Sequence, residues 1–309
     1  MNHIPIRVST LRGDQEIAFD AYVKINDKFI LYVRHGDSFE GPRLQRLRDK
    51  KLKKMYIRPE GEKSYRDYLA RNIELAYNSN SGKSLEARAE IIQGDQQTFA
   101  EEIMERPADM ATYLEAKAGA ARFVQLLLNE EAAFAKILNI ENLDKNIAHH
   151  GVTVATLAVH IGKRLGVDSK LLQLLSLGCL LHDFEHFHSA LDVGRPISHM
   201  TPVELKVYQD HPMNAGRKVQ TLKHFDQTVV NIITQHEEYI DGKGWPQGLK
   251  ESQSDPMSVV ASSANAMDRI LTFEGVPRKE AVKLLMMNGV GKHPLQHLQL
   301  LGDLINQLI

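Results

Sequence analysis

Past position 84 the chain is a nearly unbroken succession of helical periods. Apolar residues recur every three or four positions across 87–105, 111–128 and 130–138, the spacing that gives each helix one apolar face. Val154, Leu157, Ala158 and Ile161 continue that period in a helix opened by His149-His150 and closed at Gly166. The following run, 171–181, is apolar almost throughout and is cut off by His182-Asp183. Earlier positions read differently. Residues 21–34 carry β-branched and aromatic residues on both sides of Asn26-Asp27, which predicts a hairpin. A leucine-and-charge helix at 43–54, a short strand at 55–58 and a helix at 64–77 follow. The polar stretch NSNSGKS, 78–84, is the clear linker. The pattern predicts a mainly α protein: a small α+β domain over 1–80, linker helices over 81–120 and a helical domain over 121–309.

Composition agrees with this reading. Among 309 residues, 43% are hydrophobic but only 6% aromatic, and 11 prolines interrupt the chain, which suits helices better than a sandwich or barrel. The net charge of −1 hides a split, with 16 Lys/Arg against 11 Asp/Glu in residues 1–80 and 22 against 28 beyond. Neither part has the field of a dedicated nucleic-acid binder, and the basic stretch RLQRLRDKKLKK reads as a solvated helix face, so no DNA partner is expected. The single cysteine, Cys179, excludes a disulfide framework and a thiolate metal site. The opening MNHIPIRVST has no secretory pattern and the apolar runs fall short of the ~20 residues that span a bilayer. A cytoplasmic protein without membrane insertion is expected.

Twelve of the fourteen histidines lie between 149 and 297. His182-Asp183 is the most telling: an ionisable pair ending an otherwise apolar helix is costly unless it is compensated, and a metal ion compensates it. His150 can point along the buried face of its helix, His211 precedes Pro212 at an expected helix start, and His236 follows the apolar segment 229–234. Ligands from separate helices converging on a core are how bundles hold metals. Nitrogen and oxygen donors without sulfur favour iron, manganese, zinc, nickel or magnesium. His160, His199, His224, His293 and His297 are read as structural, and His35, beside Gly36-Asp37, as a surface residue.

These residues also carry a resemblance. From about 121 to the end the chain resembles the HD-GYP family of cyclic dinucleotide phosphodiesterases. The family's opening histidine before V-A-x-L is matched by His150 with Val154, Ala155 and Leu157, its H-D-x-G-K by His182-Asp183-Phe184-Glu185-His186, and its H-P by His211-Pro212. Its H-H-E-x-x-D-G-x-G-Y-P aligns without a gap to HEEYIDGKGWP at 236–246, and its A-D-x-x-D to Ala264-Asn265-Ala266-Met267-Asp268.

The resemblance implies a helical bundle holding a multinuclear metal centre, with His150, His182, Asp183, His211 and His236 as ligands and a bridging hydroxide as nucleophile. Glu237 stands where a second paired histidine is usual and Asn265 where an aspartate is; both can still coordinate through oxygen. A family glutamate that serves a third metal is replaced by Asn146, so two divalent metal ions are expected, iron first and manganese next. Asp183, His186 and Asp268 are the expected catalytic residues. His186 in place of lysine, Trp245 in place of the signature tyrosine, and Arg278 and Lys279 in the segment EGVPRK are the expected substrate contacts. The activity implied is hydrolysis of a cyclic dinucleotide such as cyclic di-GMP. Because the lysine and tyrosine are changed, the alternative is a metal-bound, weakly active signalling protein that binds a nucleotide or a protein partner. Residues 1–80 or the linker helices are where such a partner would dock.

Overall fold

The computed structural model describes residues 3–13, 15–50, 52, 54–142 and 145–309. The chain divides into two compact units, Met1–Thr98 and Phe99–Ile309. In the first, strands β1 (Ile4–Arg7), β2 (Ala21–Ile25), β3 (Lys28–Val33) and β4 (Lys54–Ile57) form an antiparallel sheet in the order β1-β4-β2-β3. The β2–β3 turn places Asn26 at φ 45° and Asp27 at φ 62°, a left-handed pair whose twist matches the strands it joins. Helices α1 (Pro42–Asp49) and α2 (Glu62–Tyr77) accompany the sheet. Ile6, Leu11, Phe19, Phe39, Met55, Ile57 and Tyr68 form one buried cluster there. Lys51 and Lys53 of the basic stretch lie outside the described residues.

Helix α3 (Leu85–Glu105) carries the chain from the first unit into the second. The second unit continues with α4 (Met110–Asn129), α5 (Ala132–Leu138), α6 (Ile147–Arg164), α7 (Ser169–Leu181), α8 (Pro202–Val219), α9 (Gln227–Gln235), α10 (Pro256–Asp268), α11 (Arg278–Gly289) and α12 (Leu295–Asn306). Side-chain caps set three starts that matter for the site. Asn146 accepts from the His149 amide at 3.0 Å to begin α6, Asp168 caps α7, and Asp255 caps α10. Among the described residues no helix is long and apolar enough to cross a membrane.

Helices α6 and α7 pack closely because Gly151 leaves no side chain between them; a Cβ there would sit 2.8 Å from the Leu180 carbonyl oxygen. That approach brings the first turn of α6, bearing His150, against the end of α7, bearing His182. One boundary differs from the sequence reading. His211-Pro212 does not start a helix but lies within α8, which begins at Pro202 behind a capping box formed by Thr201 and Glu204. Both prolines are compatible with a helix start, but only the first is preceded by a residue able to cap it.

Candidate metal centre

Four elements each deliver one imidazole, and the same local device orients three of them. His182 directly follows α7, where carbonyls lose their helical partners, and its Nδ1 donates to the Cys179 carbonyl at 2.6 Å. His236 directly follows α9, and its Nδ1 donates to the Ile233 carbonyl at 3.1 Å. His211 is inside α8, but Pro212 has no N–H to give to the carbonyl four residues back, that of Tyr208, and His211 Nδ1 donates to this carbonyl instead. The fourth, His150, donates from Nδ1 to the Asp268 carboxylate at 2.5 Å. With every Nδ1 committed as a donor, each neutral ring is left with its lone pair on Nε2.

Those Nε2 atoms meet in two pairs. His150 and His182 face each other at 3.1 Å, and His211 and His236 at 2.9 Å. Two lone pairs at such a distance repel unless a proton or a metal cation lies between them. Asp183 stands between the pairs, its Oδ2 3.7 and 3.6 Å from His150 and His182, its Oδ1 3.3 and 3.6 Å from His211 and His236. Oδ2 is buried without a hydrogen-bond partner. All five side chains are at most 2% exposed. His150, His182 and Asp183, and Asp183, His211 and His236, are thus two overlapping groups that could hold metal ions.

The electrostatics favour the same use. Burial pushes His182 down to about 3 against the pull of Asp183, so its ring is neutral and its lone pair available. Burial alone would raise Asp183, but the surrounding imidazoles, His182 first and then His211 and His236, outweigh it and hold the carboxylate well below its ordinary range. At His236 burial works downward, and the neighbouring Asp183 and Glu237 carboxylates overcome it, raising the group. That position attracts positive charge, whether proton or metal. A converging set of lone pairs around an ionised carboxylate, each fixed from behind by an acceptor, fits a metal centre.

Around the two groups stand the remaining expected residues. Asn265 Oδ1 lies 3.1 Å from His150 Nε2, while its amide donates to Glu237 Oε1 at 3.1 Å. The same Glu237 oxygen accepts from the Tyr208 hydroxyl at 2.5 Å, so Glu237 ties α8 to α10 rather than joining either metal group. Asp268 lies behind His150, on the Nδ1 side, and also accepts from Thr272 at 3.0 Å. His186 is buried with neither ring nitrogen partnered, its ring 4.0 Å from that of His211 and stacked at 5.4 Å on Tyr208.

Trp245 sits edge-on to Tyr239 and Tyr208, followed by a cis peptide bond to Pro246. Its loop is held by Glu238, which accepts from the amides of Gln247 and Leu249 at 2.7 and 2.9 Å. Gly242 adopts φ +77°, whereas Gly244 is needed for space, since a Cβ there would strike the backbone of residues 237–239. Arg278 donates to Asn139 Oδ1 and to the carbonyls of Leu138 and Leu308, and Lys279 is exposed.

The sequence reading passed over three residues. Tyr208 supplies both the carbonyl that orients His211 and the hydroxyl that holds Glu237. Glu238 fixes the loop. Arg269, 8% exposed, lies between the rings of Tyr208 and Phe273. Their signals were helical spacing: Tyr208 lies three residues before His211, and Arg269 four after Asn265.

Residues 127–258 match the family model described as HD domain. A solved structure, Bd1817, a HDG"Y"P protein from Bdellovibrio bacteriovorus, is 55% identical to this chain, with a TM-score of 0.93 over 99% of this chain and 100% of that one. The chain belongs to the HD-GYP family. More distant curated relatives of this HD-GYP protein include the cyclic di-GMP phosphodiesterase PA4108 of Pseudomonas aeruginosa, 24% identical over 47% of this chain and 35% of that protein. The 3'3'-cGAMP-specific phosphodiesterase 1 of Vibrio cholerae is 29% identical over 36% of this chain and 26% of its own length. The chain thus spans only about a third or less of the curated relatives it matches.

Proposed function

We propose that this HD-GYP protein is a metal-dependent phosphodiesterase that hydrolyses a cyclic dinucleotide, cyclic di-GMP or a close relative, at a dinuclear centre. The observation that carries the reading is the pairing of His150 with His182 and of His211 with His236 on either side of Asp183. Donors of nitrogen and oxygen without sulfur suit iron first and manganese next. Two divalent cations held there would supply an acidified water and positive charge against the phosphoryl oxygens. The protein's own part is to keep four imidazole lone pairs aimed inward through their Nδ1 hydrogen bonds, to offer one Asp183 oxygen to each pair, and to exclude bulk water. The names of the distant relatives support the substrate class.

The test is elemental analysis of the purified protein joined to product analysis with cyclic di-GMP and 3'3'-cGAMP. The wild type is expected to carry two metal ions per chain and to release linear or mononucleotide products. In Asp183→Ala metal occupancy is lost and turnover falls by more than about 100-fold; full activity in that variant sinks the reading. The near-complete burial of all five ligand side chains favours a second reading, a metal-bound nucleotide sensor with weak turnover. Saturable dinucleotide binding without product formation selects it.

A further inference from the structure

A buried guanidinium without an anion is expensive, and this molecule keeps one beside its metal groups. Arg269 is 8% exposed, and its side chain makes no hydrogen bond or ion pair among the described residues. Its contacts are ring faces, with Tyr208 at 4.9 Å and Phe273 at 5.1 Å from the guanidinium carbon. Stacking of this kind holds the plane of the group and leaves its in-plane N–H donors unused. Asp183, Glu237 and Glu274 lie within electrostatic reach. None of them pairs with it: Glu237 is taken up by Tyr208 and Asn265, and Asp183 faces the imidazoles.

The two rings that hold Arg269 also each touch a histidine of one of the two metal groups. Phe273 packs on His150 at 4.8 Å, and Tyr208 packs on His211 at 5.1 Å. Arg269 lies one helical turn after Asn265, whose Oδ1 is 3.1 Å from His150 Nε2. It also opens a π-helical turn, Arg269–Phe273, closed by the Glu274 amide on the Arg269 carbonyl at 3.0 Å. The wider turn breaks the α spacing at the point where the side chain leaves the backbone, as such turns often do at functional positions.

We infer that Arg269 is the phosphate-binding cation of this centre, its guanidinium donating to the non-bridging oxygens of a phosphodiester seated across the two metal groups. The inference rests on the proposed phosphodiesterase reading for the identity of the ligand, but not for the chemistry of the site. A tetrahedral dianion or a phosphodiester presents two oxygens at the spacing of the guanidinium fork. The next two cations in sequence are otherwise placed: Arg278, half-buried, is engaged by carbonyls and Asn139, and Lys279 is exposed at the start of α11.

The experiment titrates inorganic phosphate into metal-loaded full-length protein, wild type, Arg269→Lys and Arg269→Gln, by calorimetry, with metal content and thermal stability measured on each sample. Arg269→Gln is expected to keep its metal and lose phosphate affinity by about tenfold or more, and Arg269→Lys to lose less, because it keeps the charge but not the fork. With cyclic di-GMP the expected change is in kcat/KM in the same order. Wild-type affinity in metal-replete Arg269→Gln overturns the inference, as does failure of the wild type to bind phosphate. Loss of metal in both variants assigns Arg269 to support of the ligands and overturns it too. Should Arg269→Gln not fold, Arg269→Lys decides, a few-fold weakening supporting the inference and unchanged affinity overturning it. Should the wild type hydrolyse no cyclic dinucleotide, the functional reading falls while the phosphate titration still decides the role of Arg269.

Discussion

The four imidazoles around Asp183 differ from His160 in what their nitrogens do. All four have Nδ1 committed to an acceptor and Nε2 turned toward Asp183. His160 has its Nδ1 buried without a partner and packs edge-on against Phe134 at 5.3 Å, with burial pushing it down to about 4. It is neutral when folded, whereas an unfolded chain protonates it near pH 6.5. The unfolded state therefore binds more protons between pH 6.5 and 4, and His160 lowers stability as pH falls through that window, with no effect above it. His160→Leu is expected to flatten the acid limb of a stability–pH curve of metal-free protein by about 1 kcal/mol at pH 5.5. A limb of unchanged slope in urea unfolding experiments refutes the assignment. In the sequence His160 and His150 look alike, each a histidine in an amphipathic helix. The reading of His150 as a ligand came from the family motif, and what separates the two physically is the Asp268 carboxylate 118 positions away. Arg269 stayed invisible for a related reason: its value depends on having no partner, which no spacing reveals.

Helix ends do at the scale of elements what cofactor-binding loops do elsewhere. The centre uses carbonyls released by the termini of α7 and α9, and in α8 it uses Pro212 to release one mid-helix. Pro212→Ala restores an N–H that competes with His211 Nδ1 for the Tyr208 carbonyl, and it removes a helix-interior proline. The expected result is a metal-free protein at least as stable as wild type, with metal affinity reduced by about tenfold, checked by chelator competition and thermal denaturation. Loss of stability with unchanged affinity excludes this role for the proline. The helices themselves were legible from their apolar periods, as was the hairpin from Asn26-Asp27. The start of α8 was not, because a proline at a helix start and a proline within a helix leave the same mark in a sequence. The difference lies in Thr201 and Glu204, ten and seven residues before His211, whose capping box anchors the true start.

At the scale of the whole chain, the two candidate metal groups and the N-terminal sheet belong to different compact units. Every side chain of the two groups that could hold metal ions comes from residues 150–236, inside the unit Phe99–Ile309, while the cluster around Phe19, Phe39 and Tyr68 closes within the first seventy residues. The polar stretch 78–84 marked a break in the sequence, and Gly82 at φ +76° turns the chain there. The compact division nevertheless falls later, within α3. Its early residues belong to the first unit, where the Arg88 side chain donates to the Ala76 carbonyl at 2.6 Å and Ile91 and Ile92 are buried. A helix that looks uniform in sequence is thus shared between two cores, which apolar periodicity cannot show. We propose residues 1–80 as a separate input or partner-binding domain, and the arrangement predicts how the two functions come apart. A chain of residues 81–309 is expected to keep the same metal content as the full protein, with affinity within about twofold, since no residue of the two candidate metal groups and no Nδ1 acceptor is removed. It is also expected to be less soluble, because Ile91 and Ile92 lose part of their cover. Metal analysis and chelator titration of that fragment decide the matter: a lost metal equivalent in a fragment that remains folded by circular dichroism means that the N-terminal residues help to build the centre.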